Sequence, residues 1–151
     1  MKPQFRRATE VDVAAVGLLV RTAYAKWVPV IGREPLPMKA NYEAAVRAHL
    51  VDLLEVDGAL AAVLEMIAEP EWLLIENLAV APSFQRQGLA GILLARAADT
   101  AQALGLKGLR LFTNKKFESN VDLYLRHGFT VDREEPFMGG FTVYMSKALV
   151  T

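Results

Sequence analysis

The chain has no cysteine. Disulfides, thiolate metal sites and a cysteine nucleophile are therefore excluded. Only two histidines occur, His49 and His127. Both are isolated in sequence, too far from partners to suggest a triad or a metal site, and His127 reads as a helix-end residue beside Gly128. No metal is expected. An excess of one charge is also missing: 17 basic and 17 acidic side chains balance to zero. That argues against a general nucleic-acid or membrane-surface binder, which would carry a basic surplus. No stretch reads as long and apolar enough to span a bilayer. The start, Met1 to Arg7, has no apolar run behind its charges and does not read as a signal peptide. Internal repeats, low-complexity tracts and linkers are absent. The default expectation is a cytoplasmic protein.

What is present is apolar material. A hydrophobic fraction of 53% in 151 residues is enough for a full core, and predicts one domain over 1–151. A strand is expected at Gln4 to Ala8. Thr9, with Asp12 three residues on, forms a variant capping box for a helix reaching about Tyr24. Lys26 to Met38 carries three prolines and a glycine among large apolar side chains, which predicts a structured loop rather than a regular element. A helix follows over Asn41 to Leu50. Strands at Asp52 to Val56 and Ala59 to Ile67 are joined by Asp57-Gly58, a strong hairpin signal.

The most informative stretch is Glu71 to Leu104. It reads as a buried strand over Trp72 to Val80, a glycine-containing turn, and a helix from Leu89 to about Leu104 stopped by Gly105. The expected sheet-facing stripe of that helix is Ala90, Leu94, Ala97, Ala98, Ala101 and Leu104. The turn Gln85-Arg86-Gln87-Gly88-Leu89-Ala90 sets a glycine and a small residue at a helix start. The first N–H groups there have no internal partner and the helix dipole adds positive charge. Arg86 adds a full charge, so the turn suits a phosphate or pyrophosphate. On its own such a turn is equally an ordinary strand-to-helix connection.

Downstream, a strand is expected at Gly108 to Thr113, parallel to the central strand through a right-handed crossover. Ser119 is the expected cap of a short helix ending at His127-Gly128. Within it Asn120 and Tyr124 share one face, while Val121 and Leu125 share another that suits the core better. An Asn–Tyr face could equally be a solvated surface. Strands at Phe129 to Arg133 and Phe141 to Ser146, joined through Glu134 to Gly140, complete the chain.

Two motifs carry a resemblance. Leu78-Ala79-Val80-Ala81-Pro82 followed by Gln85-x-x-Gly88-x-Ala90 resembles the acetyl-coenzyme A pyrophosphate loop of the GNAT N-acetyltransferases. Asn120-x-x-x-Tyr124 before Gly128-Phe129 is similar to the segment after strand five in that family. The element order agrees over essentially the whole chain. One departure is that Ala90 stands where a second glycine is common and Arg86 is the only loop cation. The resemblance implies an α/β (α+β) fold: a mixed, mostly antiparallel sheet of about seven strands with helices on both faces. It implies acetyl-CoA as cofactor, held by Leu78, Ala79, Val80, Gln85, Arg86, Gln87, Gly88, Leu89, Ala90, Asn120 and Tyr124. It places a backbone N–H near Leu78 at the carbonyl oxygen, beside a bulge that splays strand four from strand five.

Acetyl transfer to an amine requires loss of an ammonium proton, stabilisation of the carbonyl oxygen, and departure of a thiolate. An ammonium with pKa about 10.4 needs a base at neutral pH. Glu76 is the candidate catalytic base because it interrupts an apolar strand, where an unpaired carboxylate is costly. The other reading is a structural carboxylate paired with an arginine or a buried N–H. Glu34, Glu43 and Glu65 are lesser candidates. Tyr124 is the candidate for the leaving group, chiefly as a hydrogen-bond donor to developing charge.

Tyr24, Trp27, Arg33, Met38, Tyr42 and Glu76 fall in the region that lines the acceptor side in similar enzymes. Each could instead simply pack on the sheet. The expected activity is direct acetyl transfer to a primary amine of a small or amino-acid-like acceptor. Alternatives are a peptide or protein N-acetyltransferase and a non-catalytic acyl-CoA sensing module. An unrelated nucleotide binder lacks support: no Gly-Lys-Ser/Thr follows the turn. The expected partner is a small-molecule amine, with no nucleic acid and no membrane; a homodimer is compatible with this.

Overall fold

A computed structural model describes residues 2–149. The chain opens with strand β1 (Pro3–Arg7), a turn of 3-10 helix over Glu10–Asp12 and helix α1 (Val13–Tyr24). Asp12 closes the turn by accepting from the Thr9 backbone N–H at 2.8 Å and from the Arg6 guanidinium at 2.8 Å. Lys26 to Met38 holds only short pieces: 3-10 turns at Ala25–Trp27 and Leu36–Met38, and α2 (Val28–Ile31), which ends at Gly32 with φ of 74°. Proline and glycine thus limit regular structure there. Helix α3 (Tyr42–Ala48) follows, capped by Asn41, whose side-chain oxygen accepts from Ala44 N–H at 3.1 Å.

Strands β2 (Leu50–Val56) and β3 (Ala59–Ala68) form the expected hairpin. Asp57 and Gly58 have φ of 51° and 85°, the left-handed pair that a two-residue turn requires. Then come β4 (Trp72–Val80), α4 (Leu89–Ala103), β5 (Gly108–Asn114), α5 (Glu118–Arg126), β6 (Thr130–Phe137) and β7 (Gly140–Ala148). The sheet runs β1-β2-β3-β4-β5-β7-β6. Only β4 and β5 are parallel neighbours; the other pairs are antiparallel.

Several local expectations are corrected. Phe117, not Ser119, occupies the position before α5, and Ser119 lies inside its first turn. Glu134 to Gly140 is not a loop: β6 continues through Phe137 and the turn is just Met138-Gly139. Pro136 is tolerated because β6 is an edge strand. On α5 it is Tyr124 that enters the core, while Leu125 is exposed. On α4 the buried stripe is Leu89, Leu93, Leu94, Ala97 and Ala101, with Leu104 exposed past the helix end. The helical pieces from Glu10 to Ile31 run together into 22 residues that are long and apolar enough to span a bilayer by length and composition. Here Val16, Leu19, Val20 and Ala23 of that run lie in the core.

Two apolar layers sandwich the sheet. Helices α4 and α5 cover one face, with Leu54, Leu64, Met66, Leu73, Ile75, Leu93 and Met145 buried there. Helices α1 and α3 cover the other over β1 to β4, burying Val16, Val20, Leu53 and Val63. A fully buried leucine such as Leu93 contributes about 1.5–3 kcal/mol by removal from water. Asp52, without solvent exposure, ties the layers together by accepting from Arg7 at 2.6 Å and Arg96 at 3.0 Å.

Candidate active site

The site begins with an irregularity in β4. Glu65 of β3 pairs with Asn77, and the next residue, Met66, pairs with Ile75. Glu76 is left over, the extra residue of a β-bulge. The bulge reverses the alternation. Ile75 lies in the α4-side core, whereas Asn77 and Ala79, which regular spacing would put on that same face, turn toward α1 and α3. Glu76 is consequently not buried in the sheet as its apolar neighbours suggested. It is exposed and lines a cleft on the α1 and α3 side. Among the described residues it has no ion pair or hydrogen bond, so the structural-carboxylate reading finds no arginine or buried N–H to support it. Partial desolvation raises its pKa, and the charge of nearby Glu65 raises it further.

A second irregularity opens the sheet. The parallel ladder between β4 and β5 covers only Trp72 to Leu74 against Gly108 to Arg110. Beyond Leu74 the strands separate, and among the described residues Ile75 to Val80 keep β3 as partner on one side and have no strand on the other, where only the Val80 carbonyl is taken, by the Gln85 side chain. Their other β5-facing backbone groups are free to meet a ligand. Leu78 and Val80 pack their side chains on the α4-side core and so offer backbone rather than side chains, while Ala79 turns its side chain to the opposite core and its backbone N–H and C=O to β3.

The turn that follows is shaped for an anion. Gly88 precedes α4 with φ of 79°, and Arg86 also takes a positive φ of 64°. No side chain caps the α4 N-terminus, leaving its first amides unpaired. A Cβ at Gly88 would meet nothing within 4 Å, so the glycine faces open space. Arg86, Gln87 and Gly88 are exposed and Ala90 half-buried, while Leu89 is anchored in the core. Gln85 donates to the Val80 carbonyl at 3.0 Å, tying the turn to the strand end. These features suit the pyrophosphate of acetyl-CoA. Asn120 sits in the first turn of α5, half-buried, one helical turn before Tyr124. Tyr124 is buried, packed edge-on against Phe129 at 5.6 Å, and burial pushes its hydroxyl up to about 12.

The cleft itself has a volume of about 530 Å³ and an aromatic wall formed by Tyr24, Tyr42, Phe112, Phe117, Phe137 and Tyr144. Of the expected acceptor-side residues, Tyr24, Arg33, Tyr42 and Glu76 line it. Trp27 and Met38 do not. Trp27 stacks on Phe117 at 4.5 Å, and Met38 sits in the 3-10 turn whose Leu36 and Pro37 face the cleft instead. Arg33 lies over the Phe137 ring at 5.8 Å.

Two groups escaped the sequence analysis. Asn77 is buried and takes Tyr24 and Tyr42 in hand. The Tyr24 hydroxyl donates to its oxygen at 3.1 Å, its amide donates to the Tyr42 hydroxyl at 3.0 Å, and Tyr42 donates on to the Pro37 carbonyl at 2.6 Å. Burial raises the pKa of both tyrosines, and the nearby Glu65 carboxylate raises both further. His49 is not isolated: its Nδ1 lies 2.6 Å from the buried Glu65 carboxylate. The one available signal was a polar pair, Glu76-Asn77, inside an apolar strand. Among the described residues no cluster of three His, Asp or Glu could hold a metal.

A splayed parallel pair, an uncapped helix start after a glycine turn and an acidic cleft beside the gap define an acyl-CoA-dependent transferase. The comparisons agree. Residues 19–129 match the Acetyltransferase (GNAT) family, and the chain belongs to that family. It is an acetyl-CoA-dependent N-acetyltransferase.

Its fold is similar to that of the PaiA N-acetyltransferase from Thermoplasma acidophilum, solved with coenzyme A. The TM-score is 0.85 at 16% identity, covering 99% of this chain and 100% of that one. It is also similar to the ribosomal-protein-S18-alanine N-acetyltransferase from Escherichia coli, with a TM-score of 0.76, 20% identity, and 99% and 96% of the chains covered. An IAA acetyltransferase from Bacillus cereus ATCC 14579 gives a TM-score of 0.72 at 19% identity over 98% and 100%. No curated protein matches in sequence.

Proposed function

We propose that the acceptor is a small primary amine, bound as its ammonium in the cleft and acetylated by direct transfer. The observation that carries this is the Glu76 carboxylate, pushed by the β4 bulge into a cleft of about 530 Å³ with aromatic walls. Within that cleft Glu65 adds a second acidic side chain, and among the described residues Arg33 is the one lysine or arginine that lines it. Such a site attracts a cation and wraps an apolar body around it.

Bound acetyl-CoA supplies an acetyl group activated as a thioester. The chain's part is to hold it and to move protons. The α4 amides, Arg86 and the open backbone edge of β4 at Leu78 and Val80 would hold the cofactor, with Asn120 beside them. Glu76 accepts the ammonium proton directly or through water. Tyr124, kept protonated by burial, donates a hydrogen bond where negative charge develops on the leaving sulfur. The N–H at Leu78 lies on the open edge of β4 and serves the carbonyl oxygen.

The test is steady-state kinetics with a panel of aliphatic and aryl-alkyl amines set against short peptides with free N-termini, read as coenzyme A release. Small amines should saturate the enzyme with kcat/KM well above that of any peptide. Turnover confined to peptides or proteins would overturn the proposal.

A further inference from the structure

The Glu65–His49 pair has no role in the chemistry above, yet it lies in the same cleft. Glu65 is the β3 residue directly opposite Asn77, one position from the bulged Glu76. Its side chain is 6% exposed, and it holds His49 Nδ1 at 2.6 Å; the His49 side chain is 30% exposed. A carboxylate only accepts, so it fixes the proton of neutral His49 on Nδ1 and leaves the Nε2 lone pair open. His49 is the residue after the last turn of α3, where the chain enters β2, so two elements fix its backbone. A base positioned by a third group is the arrangement that proton transfer uses.

We propose that His49, oriented by Glu65, is the onward proton acceptor of the cleft, taking from Glu76 the proton that Glu76 has removed from the ammonium. This rests on the assignment of Glu76 as first acceptor. An amine bound against Glu76 in the cleft would stand between that carboxyl and bulk water. The sequence of bonds is closed. An ammonium N–H bond breaks as a Glu76 O–H bond forms, freeing the amine lone pair. The Glu76 O–H then breaks as His49 Nε2–H forms, restoring the carboxylate. The imidazolium gives its proton to water or buffer and returns to the neutral ring. No oxidant, metal or further reactant is needed. Glu65 is here a positioning residue. The ionisable groups that line the cleft with His49 are Tyr24 from α1, Tyr42 from α3, Glu65 from β3, Glu76 from β4, Tyr144 from β7 and Arg33 from the connecting loop.

Two measurements test the proposal. Long-range ¹H–¹⁵N correlation of the free protein should show neutral His49 as the Nδ1–H tautomer; an Nε2–H tautomer would overturn it. In His49→Gln, kcat should fall roughly tenfold or more with the amine KM unchanged. The lost rate should return as imidazole buffer is raised, while wild type stays indifferent to buffer. A His49→Gln enzyme with wild-type kcat, or one whose deficit ignores imidazole, would overturn the proposal, because a merely structural ion pair produces no buffer dependence. The tautomer measurement needs no variant and can overturn the proposal even if the substitution prevents folding. The Glu76 assignment fails separately: Glu76→Gln would then run parallel to wild type at every pH.

Discussion

Replacing Glu76 by glutamine separates chemistry from architecture because of where the bulge puts the side chain. Glu76 is exposed and, among the described residues, makes no hydrogen bond or ion pair. Glutamine keeps its shape, so the fold has nothing to lose. The sign of the small stability change follows from linkage. The folded-state pKa is raised, so the folded protein binds this proton more tightly than the unfolded chain does. Stability from that preference is present at low pH and disappears as pH rises from the unfolded value through the folded one. At neutral pH the ionised carboxylate is therefore a slight penalty, which glutamine removes. Melting temperature at pH 7 should be unchanged or marginally higher, within about 0.5 kcal/mol, or roughly 1–2 °C for a chain of this size. Activity should behave oppositely. Loss of the proton acceptor should lower kcat/KM roughly a hundred-fold near neutral pH, about 2.7 kcal/mol of barrier. The wild-type profile should rise along a limb displaced above the ordinary carboxylate range, and the deficit should shrink at high pH, where the free amine supplies its own lone pair. The assay is a pH–rate profile of both proteins with melting curves alongside. A glutamine variant that melts several degrees lower and loses activity equally at every pH would refute the reasoning and return Glu76 to a structural role.

Gly88→Glu should weaken acetyl-CoA binding at least tenfold in calorimetric titration, since it sets a side chain and a like charge in the open space before α4. It should still fold, at a cost of about 1–2 kcal/mol for a non-glycine residue at positive φ. Tyr124→Phe should lower kcat roughly ten- to a thousand-fold with cofactor affinity little changed; a wild-type rate would remove Tyr124 from the mechanism. Asn77→Ala breaks its bonds to both Tyr24 and Tyr42 at once. Tyr42 keeps its bond to the Pro37 carbonyl, so one hydroxyl, that of Tyr24, is stranded; at about 1–3 kcal/mol the substitution should lower the melting temperature by roughly 2–12 °C and raise the amine KM, and an unshifted melting curve would show that the network is not load-sharing.

The central strand was legible from sequence to the residue, Trp72 to Val80, because a buried strand and its flanking turns leave a strong local pattern. The glycine turn and the long helix were legible for the same reason. Local pattern failed where neighbours decide. Pro136 and Gly140 read as loop residues, yet the sheet edge admits the proline and a two-residue turn suffices. Leu125 looked more apolar than Tyr124, but the packing against Phe129 selected the tyrosine. The candidate site divided along the same line. Gln85 to Ala90 is contiguous, and its geometry follows from its sequence. The cleft is assembled from contacts spanning 16, 35 and 53 residues, His49 to Glu65, Tyr42 to Asn77 and Tyr24 to Asn77, which no periodicity encodes. Trp27 and Met38 were expected in the cleft wall because of their type and place in the chain; stacking on Phe117 and the orientation of a 3-10 turn took them elsewhere.

The open edge of β4 is the expected bed for acetyl-CoA, with the pyrophosphate at the start of α4. Hydrogen exchange measured with and without acetyl-CoA tests it most directly. Among the described residues no strand pairs with Ile75 to Val80 on their β5 side, and no side chain caps the first α4 amides. Saturating cofactor should slow exchange over residues 75–80 and 86–91, with α1 and the β1–β2 ladder unaffected. Slowed exchange confined to other parts of the chain, with 86–91 unchanged, would contradict the account.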